Sequence, residues 1–301
     1  MSSERKVFVT GAGGQLGYDV MRELERRGYE GIAGDIRDTS PFSRYEKLDI
    51  TDADAVGRVI GKVKPQAVVH CAAWTAVDLA EEAEKRALVR RINTEGTQNV
   101  ASACKKNGCK MVYLSTDYVF DGRGKEPWNP DCREFRPLNV YGESKLGGEF
   151  AVANALERFF IVRIAWVFGQ NGNNFIRTML SLADKGCREV RVVDDQIGTP
   201  TYTRDLSGLL VDMIGTEKYG YYHATNEGGY ISWADFAEEI FRQAGKNVKV
   251  VRVSTEEYGK SKALRPLNSR LDKSKLSENG FGRLPTWQDA LARYLKAIGR
   301  T

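Results

Sequence analysis

The sequence predicts an α/β protein with a doubly wound, Rossmann-type parallel sheet and a smaller C-terminal α/β substrate-binding lobe. Three observations predict this fold class: strand-like and helical runs alternate up to about residue 163, the strand-like runs are short and apolar, and a glycine-rich turn follows the first of them. Alternation of this kind is typical of a parallel sheet covered by helices on both faces. A chain of 301 residues is long enough for two lobes.

The runs of the first half follow one another as a doubly wound sheet requires. We predict strands at 7–10, 31–35, 67–71, 111–115 and 160–164, with one more short strand before Asp49. We predict helices at 16–27, 53–63, 81–107 and 141–156. The strand-like run Ala67-Val-Val-His-Cys71 is largely apolar, which indicates burial on both faces.

The alternation breaks after Gly169. The later elements are predicted as a helix from about 175 to 182, a strand at 190–193, a helix at 205–214, a strand at 221–224, a helix at 233–244, a strand at 248–253 and a closing helix at 287–298. The strand at 221–224 is expected to return to the main sheet. We therefore predict a dinucleotide-binding domain at 1–168 plus about 200–228, and a substrate-binding lobe at about 169–199 plus 229–301.

Composition excludes several classes of protein. The formal net charge is only +5 and bases are mixed with acids, so nucleic acid is not an expected partner. No run of about 18 apolar residues predicts a membrane span. The amino terminus leads at once into the glycine turn and leaves no room for a signal peptide, and the five cysteines are scattered, so we expect a cytoplasmic protein. The two histidines show no zinc spacing, and no metal site is predicted.

The glycine turn is the first candidate binding site. Gly11-x-x-Gly14-x-x-Gly17 follows a predicted strand and precedes a predicted helix, which is the context of a dinucleotide-binding motif. Glycines let backbone N–H groups approach a pyrophosphate at the helix amino terminus. The alternative is a simple turn between strand and helix. The candidate cofactor contacts here are Gly11, Gly13, Gly14, Gln15 and Leu16.

Asp35 ends the second strand, 24 residues after Gly11, where an acid can bind both hydroxyls of an adenine ribose. That position favours NADH, whereas Arg37 suits the 2′-phosphate of NADPH, so the choice of cofactor stays open. Asp49 and Ile50 follow the next short strand and are expected either to contact the adenine or to belong to a helix N-cap region. Small residues leave the fourth strand, where a dinucleotide or tight packing would require them: Cys71, Ala72, Ala73 and Thr75.

Tyr141 and Lys145 are the candidate catalytic pair. Residues four positions apart share one face of a helix, and a neighbouring ammonium is expected to lower the pKa of a phenol toward neutrality. Ser115 and Thr116 end the preceding strand at the same edge of the sheet, where a hydroxyl can bind a reacting oxygen. A plain cap is the alternative for these two residues.

Seven segments of the chain match one known family in order. They are Gly11-Ala-Gly-Gly-Gln-Leu-Gly17, Thr75-Ala-Val-Asp78, Ser115-Thr-Asp-Tyr-Val-Phe120, Pro137-Leu-Asn-Val-Tyr-Gly-Glu-Ser-Lys145, Gly172-Asn-Asn-Phe175, Asp195-Gln196 with Pro200-Thr201, and Arg265-Pro-Leu-Asn-Ser-Arg270. By these segments the chain resembles the extended short-chain dehydrogenases/reductases and, within them, the dTDP-4-dehydrorhamnose reductase family. The glycine turn and Y-x-x-x-K belong to the whole superfamily, whereas Thr116-Asp-Tyr-Val-Phe and Pro-Leu-Asn-Val-Tyr-Gly are typical of the subgroup.

The resemblance implies reduction of the 4-keto group of dTDP-4-dehydro-L-rhamnose to dTDP-L-rhamnose with NADPH or NADH. Tyr141 would protonate the C4 oxygen, Lys145 would hold the nicotinamide ribose and lower the pKa of Tyr141, and Thr116 would bind the reacting oxygen. The residues that match sugar-contacting or diphosphate-facing segments of the family are Val77, Tyr118, Trp166, Asn174, Gln196, Arg265, Asn268 and Arg270. A core aromatic is the alternative for Trp166, and a solvated loop for Arg265 and Arg270.

The chain also departs from the family. Trp74 stands where the family often has His before Thr-Ala-Val-Asp, and Arg204 lies where a divalent ion between subunits would require acids, although Asp19 is available. Two other classes stay open: a sugar-nucleotide epimerase or dehydratase on the same fold, and a non-catalytic protein that resembles the regulatory subunit of methionine adenosyltransferase. A monomer or a homodimer is expected, and the sugar product is not fixed by the sequence.

Overall fold

The computed structural model describes residues 6–259 and 261–300. Its strands are β1 (Lys6–Thr10), β2 (Glu30–Asp35), β3 (Tyr45–Lys47), β4 (Ala67–His70), β5 (Lys110–Thr116), β6 (Phe159–Ile164), β7 (Val167–Phe168), β8 (Glu189–Val193), β9 (Ile197–Gly198), β10 (Thr201–Tyr202), β11 (Gly220–His223), β12 (Ile231–Ser232) and β13 (Lys249–Val253). Its α-helices are α1 (Gln15–Arg26), α2 (Ala53–Val63), α3 (Ala83–Arg90), α4 (Thr97–Asn107), α5 (Val140–Ala155), α6 (Phe175–Asp184), α7 (Thr203–Ile214), α8 (Trp233–Gln243), α9 (Thr255–Tyr258), α10 (Ser274–Glu278) and α11 (Trp287–Ala297). In this part of the chain no helix has both the length and the apolar character that crossing a membrane requires.

Seven parallel strands form the central sheet in the order β11-β6-β5-β4-β1-β2-β3. The strand order reverses between β1 and β4, because β2 and β3 extend to one side and β5, β6 and β11 to the other. In a doubly wound sheet this reversal opens a crevice at the carboxyl ends of the strands, where ligands bind. The predicted fold class, a doubly wound parallel sheet, is confirmed.

Each face of the sheet carries its own layer of helices. On β1, Val7 and Val9 point into a core shared with α1 and α7, whereas Phe8 points into the core under α2 and α4. Successive side chains of a strand face opposite sides, so a strand that is buried on both sides has to be apolar throughout. All three side chains are fully buried.

The second half of the chain divides between the sheet and a separate core. The predicted strand at 221–224 is β11, which pairs with β6 in parallel and so extends the main sheet. The parallel pair β8–β13 lies outside that sheet, and a third hydrophobic cluster contains apolar residues of α6, α8 and α11. The boundaries of the two lobes stay a prediction, which this separate core supports.

The predicted helical stretch at 81–107 is observed as a continuous helical run from 83 to 107 that contains a π-helical segment. A short 3-10 turn (Leu79–Glu81) precedes α3, and a π-helical segment (Arg91–Gly96) joins α3 to α4. Within that segment the buried Asn93 amide accepts a hydrogen bond from the Trp74 N–H at 2.8 Å and donates to Ser144 Oγ at 2.9 Å. A π-segment adds a residue to the turn, which here lets a helical side chain join the loop after β4 to α5.

Candidate active site

The glycine turn presses against the segment that follows β4. Gly11 has φ +65°, and a Cβ at this position would lie 2.6 Å from the backbone nitrogen of Ala72. The turn leads into α1, whose N-cap residue Gly14 makes no side-chain capping bond. The first N–H groups of α1 are therefore not satisfied by a capping side chain, as a pyrophosphate site at a helix amino terminus requires.

Asp35 and Arg37 lie at one end of a groove. The Asp35 carboxylate accepts hydrogen bonds from the Gly13 N–H at 2.8 Å and from the Arg37 backbone N–H at 3.3 Å. The Arg37 guanidinium donates to the Gly13 carbonyl at 2.6 Å, and its side chain is 59% exposed. Both side chains thus flank the position expected for the adenine ribose.

This groove has a volume of about 300 Å³ and continues into a larger cleft of about 470 Å³. Gly11, Gly14, Cys71 and Ala73 line both spaces. Of the residues predicted from the sequence, the groove is further lined by Asp35, Arg37, Asp49, Ile50 and Ala72. The larger cleft is lined by Gln15, Leu16, Thr75, Val77, Ser115, Thr116, Tyr118, Tyr141, Lys145 and Trp166.

Helix α5 brings Tyr141 and Lys145 to the cleft. Asn139 caps the helix, since its side chain accepts a hydrogen bond from the Gly142 N–H at 2.8 Å. Tyr141 therefore falls in the first turn and Lys145 one turn later on the same face. The Lys145 ammonium lies 4.2 Å from the centre of the Tyr113 ring, whose hydroxyl donates to the Lys145 carbonyl at 3.1 Å.

The expectation that Lys145 lowers the pKa of Tyr141 is not met in this structure. Removal from water by the cleft walls raises the pKa of Tyr141, the nearby carboxylate of Asp117 raises it further, and the Thr116 hydroxyl opposes both. Burial lowers the pKa of Lys145 to about 7, and the charges that act on this ammonium belong to Glu149 and Cys71. Desolvation therefore dominates over the charge of the lysine.

Thr116 is held by its neighbours at the end of β5. Its hydroxyl donates to Asp117 Oδ1 at 3.0 Å and accepts from the Tyr118 N–H at 3.2 Å. Asp117 is 2% exposed, its Oδ2 has no hydrogen-bond partner within residues 6–259 and 261–300, and burial raises its pKa to about 6. Asp117 belongs to the family segment Ser115-Thr-Asp-Tyr-Val-Phe120, but no role was predicted for it from the sequence. An acid at the end of an otherwise apolar buried strand was the available signal.

Two tryptophans from different parts of the chain stack at the cleft. Trp166, after β6, has a left-handed backbone (φ +51°) and stacks on Trp233 with 3.7 Å between ring centres and 15° between planes. Trp233 is the first residue of α8 and also lines the cleft. The sequence predicted the helix that starts at Trp233 but contained no signal for this pairing.

Arg265, Asn268 and Arg270 do not line the cleft or the groove. Arg265 forms a bidentate pair with Asp78, at 3.1 and 2.7 Å. Asn268 is 1% exposed, its amide donates to the carbonyls of Arg123 and Glu126, and it accepts from the Arg270 guanidinium at 3.0 Å. Their assignment as diphosphate contacts stays a prediction.

Asn174 and Gln196 also lie outside the two spaces. The Asn174 side chain caps α6 by accepting from the Arg177 N–H at 3.1 Å and donates to Gln15 Oε1 at 3.2 Å. Gln196 is 4% exposed and donates to Thr255 Oγ1 at 3.1 Å. The residue that lines the cleft in this region is Asn173, next to the predicted Asn174. The roles of Asn174 and Gln196 in substrate binding stay predictions.

Tyr141 and Lys145 lie one helical turn apart, above a glycine turn at the switch point of a parallel sheet. This arrangement is typical of the short-chain dehydrogenases/reductases. A second lobe facing the strand ends is typical of their extended class. Comparison with known proteins narrows this class. The chain belongs to the family described as RmlD substrate binding domain, whose model matches residues 5–300, and the resemblance inferred from the sequence is thereby confirmed.

Relatives cover nearly the whole chain. The dTDP-4-dehydrorhamnose reductase of Streptomyces griseus is 41% identical over 298 residues, which are 97% of this chain and 93% of the relative. The spore coat polysaccharide biosynthesis protein SpsK of Bacillus subtilis (strain 168) is 38% identical over 97% of both chains. The crystal structure of dTDP-4-dehydrorhamnose reductase from Bacillus anthracis str. Ames in complex with NADP superposes with a TM-score of 0.89, at 41% identity, over 97% of this chain and 99% of that one.

Proposed function

We propose that this protein is an NAD(P)H-dependent reductase that converts the 4-keto group of dTDP-4-dehydro-L-rhamnose into the hydroxyl of dTDP-L-rhamnose. The observation that carries the proposal is that Thr116, Tyr141 and Lys145 line one cleft, which is continuous with a groove flanked by Asp35 and the glycine turn. The relatives named dTDP-4-dehydrorhamnose reductase at 41% and 38% identity support the choice of substrate.

The residues of the groove fit a dinucleotide. The side-chain-free turn at Gly11 and the amino terminus of α1 suit a pyrophosphate, and Asp35 with Arg37 suits an adenine ribose. Lys145, which lines the cleft beside Tyr141, is placed to donate to the hydroxyls of the nicotinamide ribose. When bound, the reduced nicotinamide supplies the hydride for the C4 carbon of the sugar.

Tyr141 is the proton donor of this proposal. A phenol has an ordinary pKa of about 10 and burial raises that of Tyr141 further, so the group holds its proton at neutral pH and can deliver it to the C4 oxygen as negative charge develops there. The Thr116 hydroxyl donates its one proton to the Asp117 carboxylate in this structure. It must rotate toward the substrate in order to share the charge that develops on the C4 oxygen. Reduction needs a protonated group at the start, which a phenol supplies at neutral pH with or without this shift.

Substrate contacts divide into two groups. Val77, Tyr118 and Trp166 line the cleft beside Tyr141 and are placed to contact the sugar. For the diphosphate we retain Asn174, Gln196, Arg265, Asn268 and Arg270. Arg265 offers the planar fork that binds phosphate in a bidentate manner, but Asp78 occupies that fork in this structure. Diphosphate binding through Arg265 therefore requires it to share or exchange this partner.

The decisive experiment is incubation of the purified protein with dTDP-4-keto-L-rhamnose and either NADH or NADPH. We expect stoichiometric oxidation of the cofactor and dTDP-L-rhamnose as the product identified by NMR. A sugar epimerised without net cofactor oxidation would replace reduction by epimerase chemistry. No reaction, together with co-purification of a methionine adenosyltransferase, would favour the regulatory role.

The remaining expectations concern surroundings of the enzyme. We propose that it works in the cytoplasm, as a monomer or a homodimer, on a small nucleotide-sugar substrate. The scattered cysteines, none of which forms a disulfide within residues 6–259 and 261–300, support a reducing compartment. Size-exclusion chromatography with light scattering will distinguish the two assembly states.

A further inference from the structure

Behind the active site lies a fully buried ion pair that the proposed mechanism does not use. Glu149 on α5 and Arg163 on β6 have side chains that are 0% exposed. The two carboxylate oxygens accept hydrogen bonds from the Arg163 Nε and Nη2 groups, both at 2.8 Å. Removing two charges from water is costly, and apolar residues of similar size often stabilise a fold equally well. A buried pair of this kind therefore points to a role beyond stability.

Glu149 also reaches the cleft through Ser115. The Ser115 hydroxyl donates to Glu149 Oε1 at 2.5 Å, and Ser115 lies beside Thr116 at the carboxyl end of β5. Arg163 in turn donates from Nη1 to the Pro130 carbonyl at 3.1 Å. One carboxylate thus ties α5 to two neighbouring strands at the edge of the sheet where the cleft opens.

The same carboxylate acts on Lys145, which precedes it by one helical turn on α5. Both residues are buried, and the negative charge of Glu149 raises the pKa of Lys145 against the effect of burial. Cys71 acts in the same direction, but burial raises the pKa of this thiol to about 12, so it is neutral at pH 7. Glu149, held by Arg163, is therefore the group that opposes the effect of burial on Lys145.

The other titratable groups around Lys145 add no charge near neutral pH. Burial lowers the pKa of His70, on β4, to about 3, so this imidazole is neutral. Tyr113 on β5 presents its ring to the ammonium, and burial raises the pKa of this phenol well above its ordinary value, as it does for Tyr141 on α5. Burial lowers the pKa of Lys145, and of the groups around it Glu149, which pairs with Arg163, is the one that opposes this effect near neutral pH.

We propose that Glu149 is a positioning residue for the reaction: it holds Ser115 and Arg163 against α5 and supplies the negative charge that keeps the buried Lys145 cationic for binding of the cofactor ribose. This inference rests on the proposed function only in assigning Lys145 to the cofactor. It requires neither the identity of the sugar nor the proton transfer by Tyr141.

The test is the pH dependence of NADH affinity in the double variant Glu149→Gln/Arg163→Met, which removes both buried charges together. NADH is the probe because it lacks the 2′-phosphate, which itself titrates near pH 6 (a phosphate monoester value of about 6). In the wild type, affinity should fall above pH of about 7, where Lys145 loses its proton. The NADH affinity of the double variant should begin to fall roughly one pH unit lower, so that its affinity at pH 8 is about tenfold weaker than that of the wild type.

Two further variants complete the design. Lys110→Met removes a buried cation from the opposite end of β5, where Lys110 pairs with Glu217 at 2.9 Å, and should leave the pH dependence of NADH affinity unchanged. Arg163→Met alone leaves the Glu149 charge free to act on Lys145, and the fall in affinity should move to higher pH. Circular dichroism will report folding of each variant.

The role is established if the pH at which NADH affinity falls is lower in the double variant, higher in Arg163→Met and unchanged in Lys110→Met. If the double variant or Arg163→Met folds and its NADH affinity falls at the same pH as that of the wild type, the proposal is wrong and the role of Glu149 is structural only. A wild type that binds NADH as expected but does not oxidise it with the dTDP-sugar would contradict the proposed function and leave this inference standing.

Discussion

Replacing Tyr141 by phenylalanine removes one oxygen from the proposed reaction centre and little else. The ring of Tyr141 packs edge-on against Tyr118 with 5.8 Å between ring centres, a contact that phenylalanine keeps. Thr116, the hydroxyl that influences Tyr141, retains its bonds to Asp117 and to the Tyr118 N–H. Loss of one hydrogen bond costs about 1 kcal/mol, so the variant should fold and bind NADPH with near-normal affinity.

The expected effect on turnover is far larger than the effect on stability. A positioned general acid contributes roughly 10²–10⁴ in rate, which corresponds to about 2.7–5.4 kcal/mol of transition-state stabilisation at 1.36 kcal/mol per factor of ten. The ordinary pKa of a phenol is about 10 and burial raises that of Tyr141 further, so in the wild type nearly every molecule holds the proton at pH 7. The full loss should therefore appear at neutral pH.

Single-turnover oxidation of NADPH with the dTDP-sugar measures this step directly. Tyr118→Phe is the matched control, since burial also raises the pKa of this phenol and both rings line the same cleft. Its loss should stay within about tenfold, the value of one ordinary hydrogen bond. If Tyr141→Phe turned over as fast as Tyr118→Phe, another group would have to deliver the proton and the assignment of Tyr141 would be wrong.

Four other substitutions test separate parts of the site. Lys145→Met should weaken NADPH binding as well as turnover, measured by cofactor titration; a change in rate alone would contradict the ribose contact. Asp117→Asn should stabilise the fold by about 3 kcal/mol at pH 7, because burial raises the pKa of Asp117 from 3.8 to about 6, and each unit is worth about 1.36 kcal/mol. The cost of ionising buried Asp117 in the wild type is complete above pH 6 and disappears as the pH falls toward 3.8. Urea unfolding should therefore show a difference in the free energy of unfolding between the two proteins at pH 7 and none at pH 4. A difference that does not change with pH would contradict this explanation. Asp35→Ala should raise the ratio of kcat/KM for NADPH over NADH at least tenfold, whereas Arg37→Ala should lower it; steady-state kinetics with both cofactors that gave an unchanged ratio would remove these residues from cofactor choice.

Most of the fold could be predicted because local pattern and burial agree in it. Strands such as Val7–Val9 are buried on both faces and have to be apolar throughout, so their limits are visible in the sequence. Apart from the π-helical segment within 81–107, the predicted elements end within two residues of the observed ones. The π-helical turn was not predictable because it depends on Asn93 finding partners 19 residues before and 51 residues after it.

In the candidate site, too, the residues in local motifs could be predicted, whereas the contacts between distant parts of the chain could not. The roles predicted for Gly11, Asp35, Tyr141 and Lys145 come from local motifs and spacings in the sequence, and all four residues line the predicted crevice. The direction of the Tyr141 pKa was mispredicted because sequence spacing gives the distance along a helix but not the solvent removed by the opposite wall of the cleft. Long-range partners, such as Trp233 for Trp166, carry no local signal.

The strained backbone of Trp166 shows what the family motif Pro200-Thr201 does physically. A non-glycine residue with a left-handed backbone costs about 1–3 kcal/mol, and stacking on Trp233 returns about 0.5–1.5 kcal/mol beyond buried area, so at the middle of both ranges the stack offsets about half of the cost. Thr201 closes the difference: its N–H donates to the Trp166 carbonyl at 3.1 Å, and its hydroxyl donates to the Ala165 carbonyl at 2.6 Å. These two bonds hold the peptide groups on both sides of Trp166 from within the segment that begins β10. The indole is therefore held at the cleft by backbone bonds to a threonine that does not line it, and this is how we expect the motif to affect the proposed sugar site.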